Sequence, residues 1–282
     1  MKKILIAIIV PFIIFGCATK SVKYSEVQKS LREKEITQDE YPEVTAFLIG
    51  YESFISKVEK SDNDVGFLID DTWIYFQEGR MLTKESSQNQ NMYHPILYDY
   101  TLGEMTHLPD YEDITVRSHD FLDQLFGTTE IELRKQCDWV PFLDHKAYMN
   151  HFCEAALINV EKEILNAAKS DEEVQAFIDN LETIYSFQQR KIRGNGNTSY
   201  HSYGLALDLV PTSYGRKHAN WIWSTAFIDE WHLIPLEDRW SPPQIVIDAF
   251  ENNGFVWGGK WSHFDNIHFE YVPEIILLAK NK

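Results

Sequence analysis

Hydrophobic positions along the chain follow three rhythms, and each predicts a different kind of element. The first is an unbroken run. Residues 4–15 are apolar but for Pro11, and they follow Lys2 and Lys3. A spanning helix needs roughly 20 apolar residues; a basic start before a shorter apolar stretch predicts a secretory signal. The second rhythm has period two. Residues 65–69 and 72–76 predict strands flanking Asp70 and Asp71. Leu205, Leu207 and Leu209 alternate with Ala206 and Asp208, while Ile267, Phe269 and Tyr271 alternate with His268 and Glu270. Each predicts a strand with an apolar face and a polar one. The third rhythm repeats every three or four residues. Residues 142–168 place Met149, Phe152, Ala156, Val160, Ile164 and Ala167 at that spacing, which predicts one amphipathic helix.

Shorter helices are expected at 120–126 and after Ser170-Asp171-Glu172-Glu173, read as a capping box that buries Val174, Phe177, Ile178 and Leu181. Ser241-Pro242-Pro243-Gln244 reads as a second capping box, opening a helix over 244–252 that Gly254 terminates. A short strand over 255–257 then enters Gly258-Gly259, where small residues permit close backbone approach.

Between these elements the polar tracts divide the chain. Residues 1–16 are the expected signal and 17–45 a polar tether. Residues 46–110 form an N-terminal accessory region, either a small subdomain or strands extending the main one. Residues 111–282 are the main domain, with its chemistry concentrated in 185–272. Helices mixed with short strands, without a long parallel βαβ rhythm, predict an α+β fold with a small antiparallel sheet.

Charge narrows the partners. The formal net charge of the 282-residue chain is −17, a field that opposes nucleic acid and anionic lipid. Aromatic residues make up 14%, enough for a dense core or for a groove gripping sugar or peptide; Trp221, Trp223, Trp231 and Trp240 fit either reading. Cys137 and Cys153 are open to pairing in an oxidising compartment or to two separate buried thiols. His145 and His151, six apart, share no helix face and read as surface or packing residues.

The candidate chemistry lies in two stretches. Ser199-Tyr-His201-Ser-Tyr-Gly204-Leu-Ala206-Leu-Asp208 enters one predicted strand, and Asp265-Asn-Ile-His268-Phe-Glu270 enters another. A catalytic zinc takes three protein ligands and keeps a fourth position open. Two adjacent strands could bring His201, Asp208 and His268 to one metal, with Gly204 supplying the tight turn between the first two.

Taken together, these residues resemble the zinc D-Ala-D-Ala carboxypeptidases and L-Ala-D-Glu endopeptidases of peptidoglycan. Their pattern Ser-x-His-x-x-Gly-x-Ala-x-Asp, then Trp-Gly-Gly, then an acidic residue three before a final His, is matched at 199–208, 257–259 and 265–268. The resemblance implies a Hedgehog/DD-peptidase-like fold, a Zn2+ ion on His201, Asp208 and His268, and Asp265 as general base. Glu270 is the other acid candidate, and could instead orient the His268 imidazole. It also implies an upstream arginine that polarises the scissile carbonyl, matched in position by Arg190, while Arg193 and Ser199 become substrate-binding candidates. The implied substrates are peptidoglycan stem peptides, cut by a carboxypeptidase or an endopeptidase. Ile14-Phe15-Gly16-Cys17-Ala18 resembles a bacterial lipobox, implying cleavage before Cys17, lipidation there and attachment to a membrane of the cell envelope. Two rival readings remain: a non-catalytic wall-peptide-binding lipoprotein on the same fold, and a structural lipoprotein whose His and Asp are loop residues.

Overall fold

The computed structural model describes residues 41–60, 64–192 and 196–281. Cys17, Arg193, the expected signal and most of the expected tether therefore lie outside the described residues. The described chain is α+β, as expected. Helix α1 (Pro42–Gly50) leads into a four-stranded antiparallel meander of β1 (Ile55–Lys60), β2 (Val65–Ile69), β3 (Thr72–Gln77) and β4 (Arg80–Thr83). After a long irregular segment come α2 (Asp120–Phe126) and α3 (Glu130–Lys135), then the hairpin β5 (Cys137–Phe142) and β6 (His145–Asn150). Helices α4 (His151–Ala167) and α5 (Glu172–Asp179) precede the second sheet. That sheet has the order β7-β8-β10-β9, all antiparallel, from β7 (Leu181–Tyr185), β8 (Ala206–Pro211), β9 (Phe255–Trp257) and β10 (His268–Tyr271). The short helix α6 (Trp221–Ser224) and α7 (Gln244–Asn252) lie between β8 and β9, and α8 (Pro273–Lys280) ends the described chain.

The predicted strands at 65–69 and 72–76 and the helices at 120–126 and 244–252 are present. The long helix expected over 142–168 is shorter. It begins at His151, where the Asn150 side chain accepts the Phe152 N–H, and residues 137–150 form a hairpin instead. Leu143 and Asp144 turn that hairpin at φ of 49° and 62°, a left-handed pair that neither Gly nor Asn announces in the sequence. Two caps also differ. Asp171, not Ser170, accepts the N–H groups of Glu173 and Val174. Pro243 precedes α7 without any side-chain cap, because the Ser241 hydroxyl donates to the Pro242 carbonyl instead. The thiols of Cys137 and Cys153 are separate and buried, donating to the carbonyls of Leu133 and Asn150.

One hydrophobic core spans both sides of residue 110. Phe47, Phe67 and Ile74 from the first sheet and its helix join Leu157 and Val160 of α4 and Leu207, Leu209 and Phe269 of the second sheet. The Tyr51 hydroxyl donates to the buried Glu274 carboxyl at 2.8 Å, tying the end of α1 to α8. The strand alternation works as predicted. Leu207, Leu209 and Phe269 are fully buried on the α7 side, where Phe269 stacks on Phe250 of α7 with centroids 3.9 Å apart. Burying side chains of this size contributes about 1.5–3 kcal/mol each. Asp208, His268 and Glu270 consequently face the other way.

Residues 93–119 carry no regular element of the second sheet, yet they wrap its open side. The Tyr100 hydroxyl donates to Glu251 at 2.6 Å and accepts the Trp257 N–H at 2.8 Å. Lys260 pairs with Glu251 and donates to the Thr101 carbonyl. Further along, the Asn197 amide donates to the Thr115 carbonyl and its oxygen accepts the Arg117 N–H. His119 Nε2 accepts the Thr198 N–H at 2.8 Å. Burial pushes the His119 pKa down to about 4, keeping the ring neutral for that role.

Candidate metal centre

The centre is built where β8 and β10 run side by side. Their register sets His268 directly opposite Asp208, on one face of the sheet. His201 arrives from a single 3-10 turn, Tyr200–Tyr203, that closes just before β8. Gly204 ends the turn at φ 68°, with its carbonyl accepting the Asn150 N–H. A Cβ at that position would lie 2.5 Å from the Cys137 sulfur, so the turn needs glycine for space as well as for conformation. The result is that one atom each from His201, Asp208 and His268 lies within 4.8 Å of the others.

Hydrogen bonds at the far side of each ring decide which nitrogen is free. His201 Nδ1 lies 2.6 Å from the Ser186 carbonyl. A carbonyl only accepts, so Nδ1 carries the proton and Nε2 presents a lone pair. His268 Nε2 lies 3.2 Å from Glu270 Oε2, so Nε2 donates and Nδ1 is free. The two free nitrogens are 3.2 Å apart, and Asp208 Oδ1 is 3.1 Å from the first and 2.9 Å from the second. Three lone pairs thus converge with no donor among them. A tetrahedral ion with bonds of about 2.0–2.1 Å holds its ligand atoms roughly 3.3 Å apart, so the spacing suits such an ion.

The electrostatics point the same way. Burial works against a charged His268, but the Asp208 and Glu270 carboxylates outweigh it and raise the His268 pKa to about 10. Burial alone would likewise raise Asp208, yet its contacts with His201 and His268 hold it well below the carboxylate range. The cluster is a buried anionic cup that calls for a cation, whether a proton or a metal.

Asp265 sits at the rim. The turn that carries it is fixed on three sides: its N–H donates to the Gly258 carbonyl, the Asn266 N–H donates to Ala219, and Trp257 Nε1 donates to the Asn266 carbonyl. A Cβ on Gly258 would come within 2.7 Å of the Asp265 carbonyl, which explains the small residue there. The Asp265 Oδ1 atom is buried without a hydrogen-bond partner. Burial raises its pKa to about 6, aided by the Asp208 charge and opposed by His268. Glu270, by contrast, is engaged with the back of the His268 ring.

The other sequence candidates are less central. Ser199 is buried at the start of the 3-10 turn, its N–H donating to the Arg190 carbonyl. The Arg190 side chain is exposed. Of the tryptophans, Trp231 is buried against Trp221, His263 and Phe264, whereas Trp223 is half-exposed beside Tyr214. The core reading of the aromatic stretch therefore holds for Trp231. Sequence reasoning missed Tyr98 and Trp261: the Trp261 ring packs 5.4 Å from the His268 ring, and its Nε1 donates to the Tyr98 hydroxyl.

Comparison with known proteins finds likeness over the stretch that carries these residues. Residues 193–271 match the family described as D-alanyl-D-alanine carboxypeptidase. The peptidoglycan L-alanyl-D-glutamate endopeptidase CwlK of Bacillus subtilis (strain 168) is 31% identical over 93 residues, which is 30% of this chain and 50% of that protein. The chain thus spans about half the length of this curated relative. No solved structure matches it. The stretch that matches this family, residues 193–271, is the one that carries His201, Asp208, Asp265 and His268.

Proposed function

We propose that this protein is a zinc-dependent peptidase that hydrolyses peptidoglycan stem peptides. The observation that carries the reading is the convergence of three lone pairs, from His201 Nε2, His268 Nδ1 and Asp208 Oδ1, in one buried cup. Those residues would hold the zinc. A zinc ion in such a site supplies Lewis acidity, acidifying water and polarising a carbonyl.

The chain's own residues supply the rest. Ser186 and Glu270 orient the two imidazoles and fix their tautomers. Asp265 holds a buried, unpartnered carboxylate oxygen at the rim. Its pKa of about 6 suits a group that accepts a proton from water and returns it to the leaving amine near neutral pH. The family of residues 193–271 and the partial likeness to an L-alanyl-D-glutamate endopeptidase support peptide bonds of the wall as the substrate class. In the same reading, a lipid on Cys17 holds the enzyme at a membrane of the cell envelope, within reach of the wall.

The test is direct. The zinc-loaded protein is incubated with peptidoglycan fragments, and products are identified by mass spectrometry. The masses also report which bond is cut. Cleavage that Asp265→Ala abolishes supports the reading; no cleavage by the wild type, or equal cleavage by the variant, contradicts it and favours a binding protein.

A further inference from the structure

Arg117 lies outside the segment that matches the family, and nothing in the sequence marks it. The fold nonetheless brings it to the metal centre. Its backbone is held by the Asn197 side chain and by a bridge to His94. Its guanidinium lies over the Tyr98 ring, 5.3 Å from the centroid. The Tyr98 hydroxyl accepts from Trp261, whose ring packs on the metal-ligand candidate His268. The cation is thus linked to the cup through two aromatic rings, Tyr98 and Trp261.

Three properties argue that it is there to meet a ligand. First, it is only partly buried, and its guanidinium rests against the tyrosine ring. Second, among the described residues it forms no ion pair with a carboxylate. Third, a guanidinium offers paired donors in a plane, the geometry that matches a carboxylate. The nearby Tyr98 and Tyr200 phenols feel both Glu270 and Arg117, so the arginine also offsets the negative charge that would otherwise repel an acidic ligand from this side.

We propose that Arg117 binds a free carboxylate of the substrate peptide and so selects acidic peptides at this centre. The proposal rests on the peptidase reading for the name of the ligand, but it is tested by binding alone. Two peptide pairs serve as probes for the zinc-loaded full chain. One pair differs in a C-terminal D-alanine carboxylate against its amide, the other in a D-glutamyl against a D-glutaminyl residue. Affinities are measured by calorimetry for the wild type, Arg117→Gln and Arg117→Lys, with zinc content recorded for each.

The wild type is expected to prefer the acid form of one pair by about tenfold or more, and which pair identifies the carboxylate. Arg117→Gln loses that preference, Arg117→Lys keeps part of it, and zinc content is unchanged in both. Retention of the preference by Arg117→Gln, or no preference in either pair by the wild type, overturns the assignment. If the preference behaves as expected but no peptide is cut, the peptidase reading fails and the carboxylate site stands.

Discussion

Asp208 and His268 face each other across β8 and β10, with Oδ1 2.9 Å from Nδ1. The pair exists because two strands, sixty residues apart in sequence, share a register in which both polar faces look away from α7. His201 completes the set from a turn, where the strand geometry could not have placed it. The consequences can be measured one at a time.

Asp265 is assigned the proton transfer. Asp265→Asn keeps the shape of the side chain and the zinc ligands, and is expected to lower kcat by about 10²–10⁴-fold with zinc content unchanged. The acid limb of the kcat/KM profile reports the same group. Burial raises this carboxyl to about 6, and only the ionised form accepts a proton, so activity falls as pH drops through that value. A bound cation adds positive charge nearby and moves the limb downward. A limb at or below about pH 6 in the wild type, with far lower activity across the range in the variant, is the expected pair of results.

Glu274 gives a pH dependence of stability that is independent of the metal. Burial raises its pKa to about 7 from an ordinary 4.5, with the Tyr51 hydroxyl opposing the shift. A raised folded-state pKa means the folded form binds the proton more tightly. The contribution is therefore complete below about pH 4.5 and is lost as pH rises through 7, amounting to roughly 3 kcal/mol. Glu274→Gln can still accept from Tyr51 but cannot ionise. The stability difference between variant and wild type, from denaturant titrations at pH 5 and pH 8, should move in the variant's favour at the higher pH by about that amount. A difference independent of pH would show that Glu274 does not titrate in this range.

Gly204 is the residue on which the turn depends. Gly204→Ala requires a left-handed alanine, at roughly 1–2 kcal/mol, and drives its Cβ to 2.5 Å from the Cys137 sulfur. A loss of about 2 kcal/mol or more is expected. Pairing it with Cys137→Ala should recover only part, because the backbone conformation and the nearby Asn150 nitrogen remain. Full recovery in the double variant would mean that the clash, and not the conformation, sets the cost.

The sequence was most legible where side-chain chemistry and strand alternation coincide. His268 and Glu270 share the polar face of β10, and Asp208 that of β8, because a strand puts alternate residues on opposite sides. Periodicity misled at Met149, whose spacing to Phe152 and Ala156 continues the helical pattern back into β6. The turn at Leu143 and Asp144 has positive φ at both positions, and a leucine rarely signals that conformation. The capping box read from Ser170 is displaced by one residue, because α5 starts so that the Asp171 side chain meets the free N–H groups. Segment 93–119 was illegible for a different reason. It holds the site through lone side chains and backbone carbonyls, such as Tyr100 on Glu251 and Asn197 on Thr115, and such ties leave no period. Arg117 and Tyr98 were therefore invisible until the fold brought them beside Trp261.

The central claim is that His201, Asp208 and His268 hold one zinc ion. It is tested most directly by metal analysis of the purified full chain, wild type beside His201→Ala, with circular dichroism confirming that both are folded. About one zinc per wild-type chain, lost in the variant, is the expected result. A folded wild type that takes up no zinc, or a His201→Ala variant that retains it equally well, would contradict the assignment.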